Sequence, residues 1–211
     1  MFTGIVQDLC EVVGVEDRNG VRRLRVRLDE RASGLELGAS VANNGVCLTV
    51  TSIDGGVVAF DVIAETVDLT NLRDVEPGSS VNIERSLRFG DELGGHILSG
   101  HVSSTITVSR IESDGENRTI WFSVPHEHMA YLMWKGWIAI DGVSLTISRL
   151  DRDADEVAVS LSPETLERTT LGRVEVGSVA NLELDAQTQT IVTTVRDVLR
   201  DPELRALFEH E

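Results

Sequence analysis

One short phrase is written twice in this chain. Residues 44–50 read NGVCLTV and residues 141–147 read DGVSLTI. Sliding VANNGVCLTV (41–50) by 97 places onto IAIDGVSLTI (138–147) gives five identities and four close pairs, and only Asn43 against Ile140 is dissimilar. The match extends in both directions: TGIV (3–6) pairs with SGHV (99–102), AET (64–66) with PET (163–165), and GSSVNIE (78–84) with VGSVANLE (176–183). The offset drifts only from 96 to 99, so two halves run in the same order with small loop changes. An internal duplication constrains a fold more than composition does, because whatever the first half builds the second must build again.

Each half reads as strand. LRVRL (24–28), LTVTSI (48–53) and VVAFDV (57–62), then TITVSRI (105–111), TIWFSV (119–124), SLTISRL (144–150) and VAVSL (157–161), show alternation or β-branched runs. DGG at 54–56 is a hairpin turn signal. TVDLTNL and TLERTTL, beside the ET pairs, read as short helical turns. About six short strands per half predict two tandem six-stranded antiparallel barrels, an all-β fold, with a C-terminal α-helix. The expected units are 1–88, 95–186 and a tail 187–211, with the linker in the Gly- and charge-rich SLRFGDELGG (86–95). In the tail Ile191, Val195, Val198 and Leu199 form a helical apolar stripe with no counterpart in the first half. It docks either on its own chain or on copies in other subunits, and Pro202 marks a kink or a new first turn.

Composition excludes several classes. A net charge of −16 argues against nucleic acid. No apolar run approaches a membrane span, and the start MFTGIVQDLCEVV lacks the pattern of a signal peptide. Two cysteines, Cys10 and Cys47, are too few for a disulfide framework and fit a reducing cytoplasm. Of 19 basic residues only Lys135 is lysine. A lysine kept in a chain that otherwise chooses arginine points to a compact single-point contact or a change of protonation.

A lone cysteine on a strand is ordinarily a small buried apolar residue. Cys47, however, pairs with Ser144, and each is followed by Leu-Thr, so Thr49 and Thr146 share their strand faces. Small polar groups beside a Gly turn suit a pocket for a flat heterocycle. His101 stands where Ile5 stands in the first half, within a kept Gly-X-Val frame. His96 reads as structural, and five residues from His101 it has no metal-ligand spacing. His126, His128 and His210 read as surface residues.

Together, MFTGIV, GASVANNGVCLTV, ETVDLTNL, GGHILSGHV, KGWIAIDGVSLTI and PETLERTTLG closely resemble the bacterial, flavin-free riboflavin synthase family. The likeness covers nearly the whole chain, departing from the usual pattern at Asn43 and near Ser103. It implies a dismutation of two 6,7-dimethyl-8-ribityllumazine molecules, one giving a four-carbon unit to the other, with riboflavin and 5-amino-6-ribitylaminouracil as products. No metal or flavin cofactor is implied. The implied assembly is a homotrimer, its active site between the N-terminal barrel of one subunit and the C-terminal barrel of the next.

Carried over by motif, the N-barrel pocket is expected to use Gly4, Ile5 and Val6, then Cys47, Leu48 and Thr49, then Asp61, Val62, Ile63, Ala64, Glu65 and Thr66. The C-barrel pocket is expected to use Gly100, His101 and Val102, Lys135, then Ser144, Leu145 and Thr146, and Leu161, Ser162, Pro163, Glu164 and Thr165. Phe2, as a lid, and Ser40 complete the set. The resemblance makes His101 the candidate for proton transfer and Cys47 the candidate to add to, or direct water onto, the partner ring. The Cys47/Ser144 and Ile5/His101 differences are where two similar sites are expected to take unlike roles, with Ser144 also a candidate catalytic group. The alternative is a non-catalytic lumazine- or flavin-binding chromophore protein on the same fold.

Overall fold

The computed structural model describes residues 1–115 and 117–202. The first half forms β1 (Asp8–Arg18), β2 (Val21–Arg27), β3 (Ser40–Asn43), β4 (Val46–Asp54), β5 (Val57–Ile63) and β6 (Ser80–Arg85). The second forms β7 (Ser104–Asp114), β8 (Asn117–Ser123), β9 (Trp137–Ile140), β10 (Val143–Asp151), β11 (Glu156–Leu161) and β12 (Val179–Leu184). Each set closes into an antiparallel barrel, β1-β2-β5-β4-β3-β6 and β7-β8-β11-β10-β9-β12, so the topology repeats with the sequence. Among the described residues, closure leaves no unpaired strand edge.

The barrels bend at matched places. Register shifts fall between Val12 and Gly14 on β1 and between Val108 and Arg110 on β7. They recur between Val50 and Ser52 on β4 and between Ile147 and Arg149 on β10. An extra residue at a bulge sharpens strand bend and twist, which lets six strands close on themselves. Inside each barrel stands one apolar cluster, around Leu24, Phe60 and Ile83 in the first and Ile120, Phe122 and Ile147 in the second. Each such side chain contributes about 1.5–3 kcal/mol by leaving water.

The expected strands are all present, and the hairpin at DGG turns through Gly55 and Gly56 between β4 and β5. The helical turns start earlier than the sequence indicated, on the ET motifs themselves, as α1 (Ala64–Leu69) and α2 (Pro163–Arg168). The tail forms α3 (Ala186–Arg200), whose Asp185 cap accepts from the amide of Thr188 at 2.7 Å. It ends just before Pro202, and the tail beyond, with His210, lies outside the described residues. Ile191, Val195 and Leu199 are 63%, 52% and 58% exposed, so these three positions do not dock on their own chain, while Val198 is half-buried. Among the described residues no helix is long and apolar enough to cross a membrane.

The barrels meet through a buried polar network arranged about a pseudo-twofold axis. Asn82 Nδ2 donates to the Asp141 carbonyl and Asn181 Nδ2 to the Asn44 carbonyl, both at 2.9 Å. The amides of Asn82 and Asn181 donate to the side chains of Asn44 and Asp141, each at 2.8 Å. Two positions break the symmetry: Asn44 in the first half is a carboxylate, Asp141, in the second, and Asn71 is replaced by Thr170. Full burial without a cation pushes Asp141 up to about 7, although Asn181, Thr170 and Asn71 all donate to it.

Candidate active site

The β3–β4 hairpin places Ala42 opposite Cys47, and the β9–β10 hairpin places Ala139 opposite Ser144. Alternation on β4 sends Val46, Leu48 and Val50 inward and Cys47 and Thr49 outward, and β10 repeats this with Leu145 inward and Ser144 and Thr146 outward. Both candidate pockets therefore lie against the outer wall of a barrel. Leu48, Val62, Leu145 and Leu161 are core side chains, leaving only their backbone to face a ligand.

The segments beside these strands are exchanged. The Cys47 amide donates to the Gly100 carbonyl at 2.9 Å, and the Ser144 amide donates to the Gly4 carbonyl at 2.8 Å. Thus the 100–102 segment borders the first barrel and the 4–6 segment the second, the reverse of the grouping expected from sequence order. Val102 packs on the core of the first barrel and Val6 on that of the second. The cause is a crossing of the two segments, which pair as a short antiparallel bridge between Phe2 and Leu98 (2.8 and 3.0 Å). Glycine is required at both close approaches, since a Cβ at Gly4 or Gly100 would stand 2.5 Å from the Cβ of Ser144 or Cys47.

The first pocket is a cleft of about 290 Å³ lined by Val46, Cys47, Glu65, Thr66, Leu69, Thr70 and the 100–102 segment. It gathers Cys47 and His101, assigned to different pockets on sequence alone, in one cleft. Thr70 Oγ1 fixes the end of α1 by donating to the Thr66 carbonyl at 2.6 Å, as Thr169 does to Thr165 on α2 at 2.7 Å. Ala64 and Glu65 are exposed on α1, and Ser162, Pro163 and Glu164 are exposed at the start of α2, with Thr165 half-buried. Ile63 and Ile5 are exposed apolar groups. Asp61 is held on the barrel exterior by a two-pronged bond from Arg23 (2.7 and 2.9 Å), which keeps its carboxyl below the usual range. Ser40 pairs with Thr49 beside the cleft. Phe2 is buried between the barrels with Leu98, Ala42 and Ala139, and Cys47 packs against this cluster. It backs the pocket rather than closing it.

Beside Ser144 on the second barrel stands a group that sequence reasoning set aside. His96 Nδ1 lies 2.6 Å from Ser144 Oγ, and its ring stacks on Trp137 with centroids 5.2 Å apart. Burial pushes His96 below its ordinary value, with Asp185 opposing, so the imidazole is neutral near pH 7. A neutral Nδ1 can accept the Ser144 proton. The clue was faint: in the first half Trp137 corresponds to Ser40, and His96 falls before residue 1. Lys135 falls where the first half has Gly38, each donating its amide to the second strand of the hairpin that follows, Lys135 to Ile147 on β10 at 3.0 Å and Gly38 to Val50 on β4 at 2.9 Å. Lys135 keeps the left-handed backbone of that position (φ 63°), which a side chain rarely adopts. Its Nζ lies 5.6 Å over the exposed Trp134 ring.

Comparison with known proteins agrees with this duplicated architecture. The lumazine binding domain family matches twice, over residues 3–86 and 99–185. Riboflavin synthase of Escherichia coli (strain K12) is 48% identical over 201 residues, covering 94% of this chain and 93% of that one. Riboflavin synthase of Buchnera aphidicola subsp. Schizaphis graminum is 41% identical over 211 residues, covering 99% and 100%. Among solved structures, LumP complexed with 6,7-dimethyl-8-(1'-D-ribityl) lumazine superposes with a TM-score of 0.78 at 29% identity, covering 87% of this chain and 98% of that one. With two matched domains and near-full-length relatives, the chain belongs to the lumazine-binding family, among the riboflavin synthases.

Proposed function

We propose that this chain is a riboflavin synthase that converts two molecules of 6,7-dimethyl-8-ribityllumazine into riboflavin and 5-amino-6-ribitylaminouracil. The observation that carries this reading is that the equivalent positions Cys47 and Ser144 each carry a small polar group with a histidine at hand: His101 in the Cys47 cleft, and His96, which has no counterpart in the first half, against Ser144. A chromophore carrier needs one such pocket, whereas a reaction between two copies of one compound needs two. The likeness to LumP keeps the carrier as the second reading. Purified protein mixed with the lumazine separates them: growth of riboflavin fluorescence supports the enzyme, and saturable binding without conversion supports the carrier.

The transfer balances within its two substrates, with no oxidant or reductant. In this reading His101 moves the proton of the 7-methyl group, and Cys47 adds to, or steers water onto, the partner ring. Ser144, polarised by neutral His96, and Lys135 hold polar edges of the second ring, and α1 and α2 present Thr66 and Thr165 in the same way. Stacking the rings face to face makes the step nearly intramolecular, worth up to about 7–11 kcal/mol when alignment is good.

The working unit in this proposal is a homotrimer. A cleft of about 290 Å³ lies at the lower end of ligand pockets, which enclose most of their ligand in roughly 300–1,000 Å³. A second copy placing its 144-side barrel against the Cys47 cleft supplies both the missing wall and the second substrate. The exposed stripe on α3 offers the apolar surface for that assembly. A cytoplasmic location accords with two thiols, Cys10 and Cys47, that remain unpaired.

A further inference from the structure

Two buried carboxylates have no part in the chemistry above. Glu84 on β6 and Glu183 on β12 are 4% and 5% exposed, and both point at the crossing segments. Glu84 Oε1 accepts from the Thr3 amide (2.6 Å) and the Thr3 hydroxyl (2.7 Å), and Oε2 accepts from the Gly4 amide (3.0 Å). Glu183 repeats the pattern: Oε1 accepts from the Ser99 amide and hydroxyl (both 2.7 Å), and Oε2 from the Gly100 amide (3.1 Å). The hydroxyl in each case passes the constraint one step on. Ser99 Oγ accepts from the His101 amide at 3.2 Å, and Thr3 Oγ1 from the Ile5 amide at 3.2 Å.

Each clamp is anchored in one barrel and serves the other. Glu183 belongs to the second barrel, but the segment it holds carries His101 to Cys47 of the first. Glu84 belongs to the first barrel, and its segment borders Ser144 of the second. We propose that Glu84 and Glu183 are positioning residues for the reaction, each fixing the lip that completes the opposite barrel's pocket. The inference rests on the function proposed above for these pockets.

Chemistry selects a carboxylate for this task. Three donors converge on each side chain, and only an ionised carboxylate accepts through both oxygens. Glutamine would turn an NH2 toward one backbone amide and lose that bond. Aspartate is one methylene short. Gly100, with a left-handed φ of 80°, has wide backbone freedom of its own, so the clamp determines where the next side chain, His101, points.

Cys47 supplies a readout independent of turnover, since it lies in the first cleft and the other thiol, Cys10, is buried and pushed up to about 11. The full-length protein is treated with iodoacetamide at pH 8, with and without riboflavin, and alkylation of Cys47 is followed by peptide mass spectrometry. Glu183→Gln is expected to raise the Cys47 rate about tenfold, as loss of one charge-assisted hydrogen bond allows, and to weaken riboflavin protection. Glu84→Gln, although it lies in the same barrel as Cys47, is expected to leave the rate at the wild-type value. Ser99→Ala, which buries no unpaired charge, should move it in the Glu183→Gln direction by a smaller factor and serves if Glu183→Gln does not fold. Equal acceleration by Glu84→Gln, or none by Glu183→Gln and Ser99→Ala, overturns the proposal. A wild-type protein that makes no riboflavin from the lumazine would defeat the function reading while leaving this labelling contrast intact.

Discussion

Gly45 and Gly142 face each other backbone to backbone where the two barrels touch. A Cβ on Gly45 would stand 2.6 Å from the Gly142 amide nitrogen, and one on Gly142 would stand 2.7 Å from Gly45. Both have φ in the left-handed region, at 79° and 76°. The duplicated Asn/Asp-Gly turn is thus a hairpin turn and also the contact that sets the spacing of the barrels.

Alanine at either glycine should destabilise the protein by about 2–4 kcal/mol, because backbone strain adds to a clash with backbone that cannot rotate away. Urea unfolding of Gly45→Ala and Gly142→Ala checks this. A loss below 1 kcal/mol would show that the barrels separate freely.

Asp141 gives stability a pH dependence. Its native carboxyl holds its proton up to about 7, against 3.8 ordinarily, so between those values the unfolded chain binds fewer protons than the native one. Stability is therefore full below about pH 4 as far as this group is concerned, and falls as pH rises towards 7, by up to about 1.4 kcal/mol per unit. Asp141→Asn, which copies Asn44 of the first half, should flatten the profile. Unfolding free energies measured at several pH values from 4.5 to 7.5 test it. Buried Glu84 and Glu183, also pushed up, leave a residual slope in both proteins.

Cys47→Ala should lower kcat at least 100-fold while ligand affinity changes less than threefold, as expected for a group that acts on the reacting ring. Single-turnover kinetics and riboflavin titration separate the two quantities. Equal losses in both would assign Cys47 to binding alone.

Ile191→Asp combined with Val195→Asp should turn the proposed trimer into monomers and abolish most turnover while leaving both barrels folded. The substitutions put charge on an exposed stripe that has no packing role within its own chain. Sedimentation equilibrium and circular dichroism report the two properties. An unchanged mass would remove α3 from the interface.

Lys135→Gly should raise stability by roughly 1 kcal/mol, because glycine accepts the left-handed backbone that lysine adopts there. Activity should fall, with KM rising more than kcat drops. Thermal unfolding and steady-state kinetics on one preparation measure this exchange of function for stability.

The offset of 97 between NGVCLTV and DGVSLTI already required two copies of one strand order, and alternation within LTV and LTI already sent Cys47 and Ser144 to the same face of their strands. Local chemistry sufficed for that, since turn residues and side-chain period act over a few positions. The pairing of lips with pockets was not legible. It depends on Phe2 meeting Leu98, and on Cys47 and Ser144 bonding to Gly100 and Gly4, contacts between segments far apart in sequence. His96 reads as merely structural in the sequence for the same reason: its partner Ser144 lies 48 residues away. The sequence by itself determined the duplicated barrels, because strand order and side-chain period follow from short-range pattern, and its motifs named the candidate site residues through resemblance to the family. Only the tertiary structure decided that each half finishes the other's pocket, because that depends on how two closed barrels pack and which chain segments cross between them.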